Sequence, residues 1–138
     1  MRTVLLDINV VLDVLADREP FAEAAQGLLG EIEAGVLRGV IAAHTVTTLH
    51  YLLARELSKR RVKRVLTDLL HIVGIVPVDE DRLRHALAMD WTDLDDALQA
   101  VCAEAVEADF LVTRDKKGFK RSSVRSVTPA EMLVLAAS

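Results

Sequence analysis

Short apolar runs and helical apolar stripes alternate along this chain. Val4-Leu5-Leu6 is an apolar run of strand length. Periodicity alone does not separate such a run from a buried helix segment, but Val10, Val11, Val14 and Leu15 then recur at three and four, the spacing of a helix face. Pro20 suits the first position of a second helix, whose stripe is Phe21, Ala24, Ala25, Leu28, Leu29 and Ile32 and which Gly35 stops. Gly39-Val40-Ile41-Ala42 lies between two helical patterns and reads as a second strand. Val46, Leu49, Leu53 and Leu57 mark a third helix, and Val62, Val65, Leu66, Leu69 and Leu70 a fourth, the two forming a helical hairpin.

Ile75-Val76-Pro77-Val78 reads as a third strand whose proline points to a sheet edge or a strand end. Leu83, Ala86 and Leu87 predict a fifth helix. Thr92-Asp93-Leu94-Asp95 comes close to a capping box at the head of a sixth, with Leu94, Ala97, Leu98, Val101 and Ala105 as its stripe. Asp109 to Thr113 predicts another buried strand, Lys116 to Arg125 a polar basic loop, and Val124 to Val127 a last edge strand. Pro129 opens a terminal helix through Met132, Leu133 and Leu135. Strands that alternate with helices predict an α/β fold: a three-layer sandwich around a short, mostly parallel sheet of four or five strands. No repeat or linker divides the chain, so one domain over residues 1–138 is expected.

Composition narrows the setting. Cys102 is the only cysteine, which excludes an intrachain disulfide and suits a reducing, cytoplasmic home. No apolar run approaches the roughly 20 residues needed to span a bilayer, and the chain opens on a strand rather than a basic leader, so neither a membrane nor a processed segment is expected. A net charge of −4 argues against a general nucleic-acid coat. Its distribution says more. Arg55, Lys59, Arg60, Arg61, Lys63 and Arg64 form one basic group, readable as a solvated helix surface, while Arg114, Lys116, Lys117, Lys120, Arg121 and Arg125 form another. Between them Asp79, Glu80, Asp81, Asp90, Asp93, Asp95 and Asp96 concentrate acid, which gives an acidic centre with basic margins if the fold brings the pieces together.

The carboxylates have a geometry even before a structure. Asp7 and Asp115 both fall just past the carboxyl end of an expected parallel strand, where open α/β sheets bind ligands. Asp93 and Asp96 stand three apart at the start of a helix that must run back antiparallel to the strands, which brings its N-terminus to the same edge. Two such charges 4 Å apart repel by about 4 kcal/mol at an effective dielectric of about 20. A hard cation such as Mg²⁺ or Mn²⁺, held by a few carboxylates together with a substrate phosphate, relieves that repulsion. Such an ion activates water and offsets charge on a phosphodiester, so the matching substrate is a nucleic acid. The plainer alternatives are that Asp7 caps the following helix and that the Asp93–Asp96 acids complement a helix dipole. The dipole reading is preferred for Asp95 and the metal for Asp96.

Three strings in order, Leu-Asp-Ile-Asn-Val-Val-Leu-Asp at 6–13, Asp-Leu-Asp-Asp-Ala-Leu-Gln at 93–99 and Leu-Val-Thr-Arg-Asp at 111–115, resemble the PIN-domain family, with a likeness that runs from residue 3 to about 128. Each string is weak alone; together they are fairly specific. The resemblance implies a divalent-metal ribonuclease, often the VapC-like toxin of a toxin–antitoxin pair, commonly a homodimer silenced by a small antitoxin protein. By position it makes Asp7, Asp96 and Asp115 metal-site acids for Mg²⁺ or Mn²⁺, Asp93 an auxiliary catalytic acid, and Asn9 and Thr113 supporting hydrogen-bonding residues. Arg114, Lys116, Lys117, Lys120 and Arg121 would contact RNA phosphates. Two positions depart from the family pattern. Thr48 stands where a glutamate is usual, a neutral hydroxyl in place of an anionic ligand, and Gly118 precedes Phe119 where an acid is common.

Thr48 motivates a competing expectation, a PIN-like domain that has lost hydrolysis and binds RNA or protein partners. A phosphatase that uses Asp7 as nucleophile wants a second aspartate two residues on, where this chain has Asn9. His44, His50, His71 and His85 have no zinc-like spacing with Cys102 and read as ordinary histidines, with His50 set apart by its neighbour Thr48, and Cys102 reads as a small core filler. Trp91 and Tyr51 read as packing residues before base-stacking ones.

Overall fold

The structure is a computed structural model that describes residues 1–138. Five strands, β1 (Arg2–Leu6), β2 (Leu37–Ala42), β3 (Gly74–Val76), β4 (Phe110–Val112) and β5 (Ser126–Val127), form one sheet in the order β3-β2-β1-β4-β5. Every neighbouring pair is parallel. β1 sits at the centre, and Val4, Leu5 and Leu6 are all buried, as expected for a strand covered on both faces. The seven helices are α1 (Ile8–Leu15), α2 (Ala22–Glu33), α3 (Ala43–Leu53), α4 (Lys59–Leu70), α5 (Glu80–Ala88), α6 (Leu94–Ala105) and α7 (Pro129–Ala137).

Strand alternation sorts the core into two layers. Val4, Leu6, Ile41 and Val112 pack with α1, α2, α3, α4 and α7 on one face. Leu5, Val40 and Leu111 point the other way, onto Cys102 and Ala103 of α6, and α5 packs on α6 through Ala86, Ala97 and Val101. The α/β sandwich expected from the pattern is therefore present, with a wholly parallel sheet. No helix is long and apolar enough to cross a membrane.

Element ends differ from the pattern where local hydrogen bonding outweighs periodicity. Pro20 lies ahead of α2, which begins at Ala22. The third helix stops at Leu53, and Leu57 packs on the core from beyond it. β3 ends at Val76, before Pro77. The cap of α6 is Asp93, not Thr92, because the Asp96 N–H donates to Asp93 Oδ1 at 3.1 Å. The terminal helix opens at Pro129 as expected, and a reciprocal Thr128–Glu131 capping box, not anticipated from the pattern, heads it.

Candidate active site

The centre of the sheet sets the site. Leu6 of β1 pairs in register with Val112 of β4, and the Asp7 N–H continues the ladder by donating to the Val112 carbonyl at 2.9 Å. Asp7 and Thr113 thus leave adjacent parallel strands at the same level. Asp7 does cap α1: its Oδ1 accepts the Ile8 N–H at 2.8 Å. Its Oδ2 accepts the hydroxyl of Thr113 at 2.9 Å, and the same hydroxyl oxygen accepts the Asp115 N–H at 3.0 Å. One buried threonine therefore ties two of the acids together.

α6 approaches this edge with its N-terminus. Carboxylate oxygens of Asp7, Asp95 and Asp96 lie within 4.8 Å of one another. No lysine or arginine pairs with Asp7 or Asp96. Asp7 is 4% exposed, and burial pushes its carboxyl above the ordinary range against the Thr113 and Ile8 hydrogen bonds, with Asp95 and Asp93 adding to the rise. Asp96 is pushed up to about 7, first by burial and then by the charges of Asp93, Asp7, Asp95 and Asp115. These carboxylates lack a counter-charge.

Gly118 keeps the space between the acids clear. A Cβ at that position would lie 2.8 Å from Asp96 Oδ2 and 3.7 Å from Asp115 Oδ2. Asp115 is exposed and borders the cluster formed by Asp7, Asp95 and Asp96. Next to Asp96 opens a cleft of about 310 Å³ lined by Trp91, Asp93, Lys117, Gly118, Lys120 and Arg121. Arg121 is steadied there, donating from Nη1 to the Asp90 carbonyl at 2.6 Å. Trp91 meets Phe119 edge to face, with ring centroids 6.3 Å apart.

The other expected site residues are more scattered. Lys116 pairs with Glu131 of α7 at 3.0 Å. Arg114 Nε lies 2.8 Å from Asp13 Oδ2, and its guanidinium stacks 3.9 Å from the centroid of Phe21. Asn9 is partly exposed in the first turn of α1. Thr48 is exposed on α3, and its hydroxyl donates to the His44 carbonyl within its own helix at 3.2 Å. Tyr51 is exposed and carries Arg55 over its ring at 4.6 Å.

Asp95 and His44 are the additions that spacing did not bring out. Successive residues on a helix point about 100° apart, so a side-chain pattern that favours Asp96 disfavours Asp95. At the N-terminus of α6, however, both Asp95 and Asp96 bring a carboxylate oxygen within 4.8 Å of Asp7. His44 Nε2 lies 2.6 Å from Asp95 Oδ1. Nothing local in the sequence places residue 44 opposite residue 95; only the parallel packing of β2 beside β1 does so. A signal did exist for Asp13, which falls on the same helix stripe as Val10 and Val14 and is fully buried.

The family model of the PIN domain matches residues 3–117. A sequence comparison with curated proteins returns no match. Among solved structures, a toxin–antitoxin complex from Klebsiella pneumoniae superposes with a TM-score of 0.69 at 22% identity, covering 91% of this chain and 97% of the other. DNA-bound VapBC from Salmonella typhimurium gives 0.70 at 16% identity, over 94% and 99% of the two chains. FitAcB from Neisseria gonorrhoeae gives 0.64 at 24%, over 91% and 97%. At such identities these likenesses speak for the fold, while the family model covers most of the sequence: the chain belongs to the PIN-domain family.

Proposed function

We propose that the chain is a divalent-metal-dependent endoribonuclease, the toxin of a type II toxin–antitoxin pair. The observation that carries this reading is the convergence of Asp7, Asp95 and Asp96 within 4.8 Å without a basic partner for Asp7 or Asp96. The donor set fits a hard cation: all ligands are carboxylate oxygens, and Gly118 leaves open a space that a Cβ would fill. Asp7, Asp96 and Asp95 would hold Mg²⁺ or Mn²⁺, with Asp115 at the border. When bound, such an ion supplies Lewis acidity toward a phosphodiester and acidifies water.

The protein's own groups do the remaining work. Thr113 and the Ile8 N–H fix both oxygens of Asp7, so that carboxylate is oriented before any ligand arrives. Asp93 holds the first turn of α6 and faces the cleft with Asp96. Lys117, Lys120 and Arg121 line the same cleft and suit the phosphates that flank a scissile bond. With a net charge of −4 on the whole chain, this attraction is confined to the basic margin.

A small antitoxin protein and a second copy of the chain are the partners this reading implies. It is supported by the family and by the likeness to a chain solved in a toxin–antitoxin complex from Klebsiella pneumoniae. Thr48 favours a second reading, a PIN domain with weakened or lost hydrolysis that acts by binding, because its hydroxyl is spent within α3. Incubating single-stranded RNA with the purified chain separates the two. Cleavage that needs Mg²⁺ or Mn²⁺ and stops with chelator supports the nuclease. RNA left intact by the wild type but cut by Thr48→Glu supports a weakened site, and RNA left intact by both supports the binding reading.

A further inference from the structure

Asp13 is buried to 0% exposure in the second turn of α1. A carboxylate without water demands a partner, and Asp13 has two cations: Arg114 Nε at 2.8 Å and Arg18 Nε at 3.8 Å. Burial raises the Asp13 carboxyl, and the charges of Arg114 and Arg18 work against that rise. The contact with Arg114 is a close, buried ion pair. Buried pairs of this kind lose much of their attraction to desolvation and are a poor source of net stability. What they do provide is a fixed spatial relation.

That relation concerns the site. Arg114 lies between Thr113, which donates to Asp7, and Asp115, whose N–H donates to Thr113. Asp7 caps the start of α1, and Asp13 stands six residues on, about 9 Å along the same rigid helix. Residues 113–114 therefore touch α1 at two points, and two points fix a direction. Phe21 adds a third contact, against which the planar guanidinium stacks. Lysines 117 and 120 and Arg121 line the cleft beside Asp96, whereas Arg114 does not.

We propose that the Asp13–Arg114 ion pair is a clamp that positions the Thr113–Asp115 segment against Asp7, so that Asp13 and Arg114 are positioning residues rather than substrate contacts. This rests on the reading of the acidic cluster as a cation site, and its test is built to fail separately. The informative variant is Asp13→Leu combined with Arg114→Met, which replaces the pair by apolar groups and is expected to keep the thermal midpoint near that of the wild type. Two readouts follow: hydrogen exchange of the 113–119 peptide in metal-free protein, and Mn²⁺ affinity by calorimetry.

The clamp predicts faster exchange confined to residues 113–119, and an affinity lowered about tenfold, the usual cost of losing an outer support of a metal ligand. A merely structural pair predicts that both readouts recover with stability, and that result overturns the clamp. Should the double variant not fold, Arg114→Lys keeps the charge while losing the stack on Phe21. It is expected to move both readouts in the same direction by a smaller factor, and unchanged values there overturn the proposal equally. A wild-type chain that takes up no Mn²⁺ removes the cation reading, while the exchange data still decide the clamp.

Discussion

The hydroxyl of Thr113 donates to Asp7 Oδ2 at 2.9 Å across 106 residues of sequence, from the end of β4 to the end of β1. Both groups are buried, so neither finds water as a substitute. Thr113→Val keeps the shape and removes the donor. We expect it to cost about 1–3 kcal/mol at pH 8, the penalty of leaving a buried acceptor unmet. Below the Asp7 titration the cost should shrink, because the lost hydrogen bond favoured the charged carboxylate. Urea unfolding of the two proteins across a pH series measures the difference, and Thr113→Ser should restore the wild-type value.

Asp96 titrates at about 7 in the folded chain against an ordinary value of 3.8. A raised acid contributes stability that is complete below the unfolded value and is lost as pH climbs through the folded one. Asp7 is shifted in the same direction. In chelator, the thermal midpoint of the wild type relative to Asp96→Asn should therefore fall as pH rises from about 4 to about 7. Millimolar Mn²⁺ should reverse that fall, because a cation binds the ionised carboxylates of the folded state. A wild-type-minus-variant difference that stays flat across this window contradicts the raised Asp96 carboxyl, whether burial or its acidic neighbours are the cause.

Gly118 leaves room beside Asp96 in this chain. A methyl group there would sit 2.8 Å from Asp96 Oδ2, so the carboxylate or the loop must move. Gly118→Ala is expected to weaken Mn²⁺ binding about tenfold while leaving the thermal midpoint nearly unchanged. Calorimetric titration of the two proteins checks it.

The end of the chain offers a test of the fold apart from chemistry. Thr128 accepts the Glu131 N–H at 3.2 Å and heads α7, which packs on α2 with Leu133 beside Gly27. Thr128→Ala should cost about 1 kcal/mol in denaturant unfolding and leave metal uptake unaltered.

Much of this was legible because the chain's periodicities are clean. Val4-Leu5-Leu6 followed at once by a helical stripe located the central strand and the acid at its end, and the antiparallel return of α6 put Asp96 at the same edge. Asp93 rather than Thr92 proved the cap, since either side chain satisfies the local pattern and only the helix entry angle chooses. Asp95, His44 and the Asp13–Arg114 pair were illegible as contacts: each joins elements from distant parts of the chain, and their meeting depends on strand order and helix tilt. Asp13 lies on the apolar stripe of α1, a placement from which its burial could have been inferred, but not its partner Arg114.

In the proposed function the cluster around Asp7 cuts RNA with the help of a divalent ion. Its most direct measurement is the initial rate of single-stranded RNA cleavage in Mn²⁺ by wild type and Asp7→Asn, with circular dichroism showing both folded. The expected result is a fall of at least about a hundredfold in the variant, in keeping with the loss of a charged group oriented at the reacting centre. Metal-dependent cleavage by Asp7→Asn at the wild-type rate would contradict the account.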